Sequence, residues 1–161
     1  MRWRPLLAAF AGAVLLNALG ALSAAMSGPM AGGDWYDALQ KPALQPPGPV
    51  FGIAWTILYS LLGVALVRLS LAPASRARTV ALALFLLQLA LNLAWSPLFF
   101  GARQILPALA LLGAILLLAI AATFAARRVD GLAPWLMLPY LVWLSFALGL
   151  NWRIWALNPG A

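Results

Sequence analysis

Five apolar stretches, each about as long as the roughly 20 residues a helix needs to cross a bilayer, alternate with short links rich in Gly, Pro, Ser and Arg. They predict helices over 5–26, 50–71, 79–100, 105–126 and 134–157. The expected fold is an all-α membrane protein: one domain over 1–161, built as a bundle of five transmembrane helices. The link over 27–49 is the longest. Gly28-Pro29, Gly32-Gly33, Pro42, Pro46-Pro47 and Gly48-Pro49 break any long helix there. Trp35, Tyr36 and Leu39 argue against disorder, so a structured loop is expected. It holds one short turn over 34–39, with Asp34 as its N-cap.

Arg2 and Arg4 precede the first stretch, and Ser23-Ala24-Ala25 resembles a cleavage site. The apolar run is nevertheless longer than the core of about 7–15 residues in a signal peptide, so a retained helix is expected. Ala9, Ala13, Asn17, Ala21 and Ala25 fall four apart and give it a small-residue face for close packing. Five spans put the termini on opposite sides. Arg2, Arg4, Arg68, Arg76, Arg78, Arg127 and Arg128 gather on the N-terminal side, against Lys41, Arg103 and Arg153 on the other. In an inner membrane this bias predicts a cytoplasmic N-terminus; it does not decide between the inner and outer membranes of a bacterium. No internal repeat is visible, so an inverted-repeat transporter is not supported.

Composition narrows the chemistry. The chain is 65% hydrophobic and 8% charged, against roughly 25% charged in a soluble domain. Cys, His and Glu are absent, and Asp34, Asp37 and Asp130 all lie outside the apolar stretches. That removes disulfides, the usual metal ligands, the common nucleophile–base pairs and paired-carboxylate chemistry within the membrane. No metal and no obligatory cofactor is expected. The net charge of +7 sits at span ends, as topology signals do, and nucleic acid is not an expected partner. The single lysine, Lys41, is in the loop, and no acid lies in the spans to relay protons.

The aromatic residues point to binding. Trp55, Tyr59 and Leu62 or Gly63 share one face of the second span. Gln88, Asn92, Trp95 and Phe99 share one of the third, and Tyr140, Trp143, Ala147 and Asn151 one of the fifth. Trp3, Trp135, Trp152 and Trp155 read as interfacial anchors. Trp55, Trp95 and Trp143 lie deeper, beside small or polar residues, and read as pocket walls. Gln88, Asn92 and Asn151 need hydrogen-bond partners in hydrocarbon, supplied either by other helices or by a ligand; Asn17, among alanines, reads as helix–helix glue. Stacking surfaces with a few amides suit a flat aromatic macrocycle or a sterol-like molecule.

Three motifs carry a resemblance. Trp35-Tyr36-Asp37-Ala38-Leu39-Gln40-Lys41-Pro42, Pro46-Pro47 and Trp55-Thr56-Ile57-Leu58-Tyr59 come first. The run from Gln88 through Trp95-Ser96-Pro97 to Gln104 follows, and Pro139-Tyr140-Leu141-Val142-Trp143 through Leu150-Asn151 closes it. Together they resemble the tryptophan-rich sensory protein/translocator protein family over roughly residues 5 to 157. The resemblance implies a five-helix membrane bundle, a homodimer, and binding of porphyrins, sterols and drug-like molecules beneath the first loop. Positions matching the family pocket are Trp35, Trp55, Tyr59, Asn92, Trp95, Trp143, Ala147 and Leu150, to which the polar pattern adds Asn151. In some bacterial members the tryptophans matching Trp35 and Trp143 are linked to light- and oxygen-dependent porphyrin breakdown, so these two are the catalytic candidates if the protein is an enzyme. The chain departs from the family pattern at Leu44 and Pro49, where tryptophans are common, and at Trp152, where animal members carry a tyrosine in a proposed cholesterol motif. The expectation is a receptor or carrier for tetrapyrroles and related hydrophobic ligands with a sensory role. A porphyrin-degrading enzyme and a transporter are the alternatives.

Overall fold

The computed structural model describes residues 3–28 and 33–160. Arg2, and the Pro29 and Gly32 of the predicted breaks, lie outside the described residues. The elements are α1 (Arg4–Met26), α2 (Asp34–Ala38), α3 (Gly48–Leu71), α4 (Arg76–Ser96), α5 (Ile105–Ala126) and α6 (Ala133–Leu157). A π-helical turn over Pro97–Gly101 continues α4. Among the described residues five helices are long and apolar enough to cross a membrane, and the chain is an integral membrane protein of all-α architecture. Leu6, Phe10, Ile53, Ile57, Leu117 and Val142 are exposed on the outer surface, as a lipid solvent permits. The anchors Trp3, Trp135, Trp152 and Trp155 also face outward.

The ends of the helices follow from local chemistry. Ser75 Oγ accepts from Arg78 N at 3.1 Å and caps α4. Arg78 Nη1 donates to Ala72 O at 2.7 Å, satisfying a carbonyl at the end of α3. Asp34 is not the cap of α2: Gly33 holds that position, and no side-chain cap bond forms. Asp34 is instead the first helical residue, where a carboxylate still favours the helix dipole. Pro97 has no N–H and so leaves the Leu93 carbonyl four residues earlier without its helical donor. Ser23 Oγ of α1 donates to that carbonyl at 2.5 Å. One proline thus both ends the α-helical ladder and ties α4 to α1.

Around the ring, α1 packs on α3, α3 on α6, α6 on α5, α5 on α4, and α4 closes on α1. The α1–α3 contact is a close crossing at glycines. A Cβ on Gly12 would lie 2.6 Å from Val67 Cγ2 and 2.7 Å from Gly63 O, and one on Gly63 would run into the backbone of Gly12 and Ala13. Near that crossing Asn17 Nδ2 donates to Ser60 Oγ at 3.0 Å, the interhelical role expected of it. The small-residue face of α1 is therefore used in part within the chain.

The two halves of the bundle differ. At the arginine-rich end, Leu62, Ala65, Leu69, Phe85, Ala119 and Met137 are fully enclosed, with alanines allowing close approach of backbones. Tyr140 lies at the boundary and donates its hydroxyl to Gln88 Oε1 at 2.8 Å. At the same end Arg68 grips Asp130 through two bonds of 2.9 Å. Asp130 also accepts from the backbone N–H groups of Leu132 and Ala133, at 2.8 and 2.7 Å. The Arg68 hydrogen bond, outweighing partial burial, holds the Asp130 carboxyl below its ordinary range. This clamp orders the α5–α6 link; as an exposed pair it adds less than about 1 kcal/mol. The other half, toward the loop, is not filled.

Candidate functional site

A hollow of about 590 Å³ occupies the loop-side half of the bundle, within the range of roughly 300–1,000 Å³ of small-molecule sites. From Gly48 to Tyr59 it follows α3 over twelve residues, about 16 Å of helix at 1.5 Å per step. It therefore reaches from the loop toward the middle of the membrane.

Three helices bring their aromatic faces together here. On α3, Trp55 lies over Tyr59 with ring centroids 5.2 Å apart. On α6, Trp143 meets Trp55 edge-on at 6.4 Å and Phe51 at 5.7 Å. On the α4 side, Trp95 stacks on Phe99 at 5.0 Å, with the rings 15° from parallel. Each such pair is worth about 0.5–1.5 kcal/mol beyond burial, so the indoles are held in place before any ligand arrives. Ala147, Leu150 and Asn151 complete the α6 wall, one and two turns beyond Trp143. On α1, Gly20 makes room for the Tyr59 ring, which a Cβ there would strike.

The polar atoms divide into spent and unspent. Tyr59 donates its hydroxyl to Asn92 Oδ1 at 2.7 Å, Trp95 Nε1 donates to Ala108 O at 3.1 Å, and Asn151 Nδ2 donates to Ile105 O at 3.3 Å. Asn92 and Asn151 thus bridge helices and line the hollow at once. Trp143 Nε1, Asn151 Oδ1 and Gln45 Oε1 are buried without a partner among the described residues. Gln88 lies outside the hollow, its Oε1 taken by Tyr140.

The loop forms the roof. Gln40 and Asn158 exchange two hydrogen bonds, Gln40 N to Asn158 Oδ1 at 2.8 Å and Asn158 Nδ2 to Gln40 O at 2.9 Å, which strap the loop to the end of α6. Tyr36 packs on Phe99 and Phe100 and accepts at its hydroxyl from Gln45 Nε2 at 2.9 Å. Burial, and then the nearby Asp37 carboxylate, raise the Tyr36 hydroxyl above its ordinary pKa, so it stays protonated at neutral pH.

Of the predicted site residues, Trp55, Tyr59, Asn92, Trp95, Trp143, Ala147, Leu150 and Asn151 meet at this hollow. Trp35 does not line it. Its ring packs edge-on against Phe99 at 5.8 Å and borders a separate recess of about 370 Å³ with Ser27, Asp34 and Arg103. Neighbouring residues in a helix point about 100° apart: both rings of α2 pack against Phe99, but Tyr36 reaches the hollow and Trp35 does not. Tyr36, Lys41, Gln45, Phe51 and Phe100 are wall residues that the span pattern did not single out.

The profile of the TspO/MBR family matches residues 10–156. Human translocator protein is 44% identical over 128 residues, covering 78% of this chain and 76% of its own length. The tryptophan-rich sensory protein of Cereibacter sphaeroides is 40% identical over 125 residues, covering 78% and 77%. Protein CrtK of Rhodobacter capsulatus is 36% identical over 129 residues, covering 80% and 81%.

Proposed function

Because the chain belongs to the TspO/MBR family of membrane proteins, we propose that it is a receptor or carrier that takes porphyrins and other flat hydrophobic molecules into this hollow. One observation carries the reading: three indoles from three different helices line a cavity of ligand size in the loop-side half of the bundle. The unpartnered Trp143 and Asn151 atoms support it, since a buried polar group without a partner costs about 1–3 kcal/mol. Sterols suit the apolar wall but make little use of these atoms.

Titration of the purified protein with protoporphyrin in darkness tests the reading. The expected result is saturable quenching of tryptophan fluorescence at one porphyrin per chain. Quenching that rises linearly without saturation, as in empty detergent micelles, defeats it.

Light- and oxygen-dependent breakdown of bound porphyrin is the second reading. It is favoured by Trp143, whose indole stands on the wall, and not by Trp35, which lies behind Phe99. Under illumination this reading requires loss of the porphyrin absorption band that slows in Trp143→Phe; an unchanged rate means plain photobleaching. Energy-coupled transport has no support from any acid in the spans. We place the protein in a bacterial cell membrane; in an inner membrane the arginine-rich end faces the cytoplasm and the roof the far side. The exposed Ala90 and Ala94 of α4 are the proposed contact with a second copy.

A further inference from the structure

Lys41 is the one charged residue among the described residues that line the hollow, and it is the only lysine in the chain. It sits in the roof, half-buried. Its Nζ donates to the carbonyls of Asp37 and Leu39 at 3.2 and 3.3 Å and lies 4.6 Å from the centre of the Tyr36 ring. No carboxylate of the described residues pairs with it: the single ion pair among them is Arg68–Asp130, at the other end of the bundle. An ammonium has three protons to give, and the two carbonyls take two of them.

A second donor stands beside it. The Tyr36 oxygen already accepts from Gln45 Nε2, and its own proton has no acceptor among the described residues. Lys41 and Tyr36 thus present two unspent donors and one positive charge at the roof. Everything deeper is uncharged: aromatic, aliphatic, amide or hydroxyl. The hollow is therefore polarised along its length, with a cation at the loop end and a neutral aromatic interior.

We propose that the roof is a carboxylate-recognition point: Lys41 and Tyr36 select ligands that carry an acid group at one end of a flat hydrophobic body, and orient them with the acid under the loop. This rests on the reading of the hollow as a tetrapyrrole site and narrows it, because neutral hydrophobic molecules of the same shape forgo the charged contact. The specificity resides in the loop, while the walls supply shape.

The test compares protoporphyrin, which bears two carboxylic acids, with its dimethyl ester, which has the same ring and no negative charge. Binding is read by tryptophan quenching in the intact protein in nanodiscs of zwitterionic lipid. The wild type is expected to bind the diacid at least 10-fold more tightly than the diester. Lys41→Gln should abolish that preference by weakening the diacid alone, with the diester held within 2-fold; Lys41→Arg should keep it. Equal affinity of the wild type for diacid and diester overturns the assignment without reference to any variant. Parallel weakening of both by Lys41→Gln also overturns it, since that marks a lysine that merely shapes the loop. If neither form quenches saturably, the hollow is not a tetrapyrrole site, and both readings fall together. Diester binding without acid preference removes only the roof assignment.

Discussion

Gly63→Ala is expected to lower the unfolding temperature of the protein, and Gly52→Ala to leave it unchanged or raise it. The chemical change is the same and both residues lie in α3, but their surroundings are opposite. A Cβ on Gly63 collides with the α1 backbone at Gly12 and Ala13, whereas one on Gly52 meets nothing within 4 Å. Backbone cannot rotate away as a side chain can, so α1 must move off α3. Overpacking of this kind costs about 1–3 kcal/mol, equivalent to a fall of roughly 2–12 °C in Tm for a chain of this size. At Gly52 the added methyl brings only the helix preference of alanine over glycine, close to 1 kcal/mol. Thermal unfolding in one detergent, with both variants side by side, reads the difference. Equal shifts would mean that α1 and α3 do not cross at these glycines.

Ala147→Phe is expected to weaken protoporphyrin binding by about 10- to 100-fold, a loss of roughly 1.4–2.8 kcal/mol. Ala147 lies one turn beyond Trp143 and lines the hollow beside Leu150 and Asn151. A benzyl group there projects into the space that a flat ligand needs between the α6 and α3 walls. The fold should tolerate it, because the new ring enters open volume and adds apolar contact without displacing packed neighbours. Affinity and stability are therefore expected to separate: binding falls while Tm holds or rises. Unchanged affinity would put the ligand elsewhere, and a fall in both would mean that the ring had disrupted the bundle.

Much of the architecture was legible in the sequence because lipid imposes a long, simple signal. The predicted end at Ala126 and start at Ile105 coincide with α5, and the other span limits fall within a few residues of α1, α3, α4 and α6. The third span's last turn differs: Pro97 removes a backbone donor, and the chain widens to a π turn through Gly101. That adjustment depends on Ser23 of another helix reaching the Leu93 carbonyl, which no local pattern contains. Helical periodicity gathered Trp55 with Tyr59, Asn92 with Trp95, and Trp143 with Ala147 and Asn151 onto common faces, and these faces meet. It did not reveal that Tyr59 pairs with Asn92, or Tyr140 with Gln88, because such pairs depend on how the helices are ordered around the ring. The loop was least legible. A five-residue helix is too short to display a period, so the exchange of Trp35 for Tyr36 at the roof, and the place of Lys41, follow from tertiary contacts with Phe99, Phe100 and Asn158.

A flat ligand is proposed to sit in the hollow between α3, α4 and α6. Fluorine NMR of protein grown with 5-fluorotryptophan tests this placement most directly, since all eight tryptophans report at once and no residue needs replacing during the titration. Protoporphyrin is predicted to shift the resonances of Trp55, Trp95 and Trp143 by its ring current, while those of the outward-facing Trp3, Trp135, Trp152 and Trp155 stay in place. Movement of the outward four, with the inner three unmoved, would contradict the account.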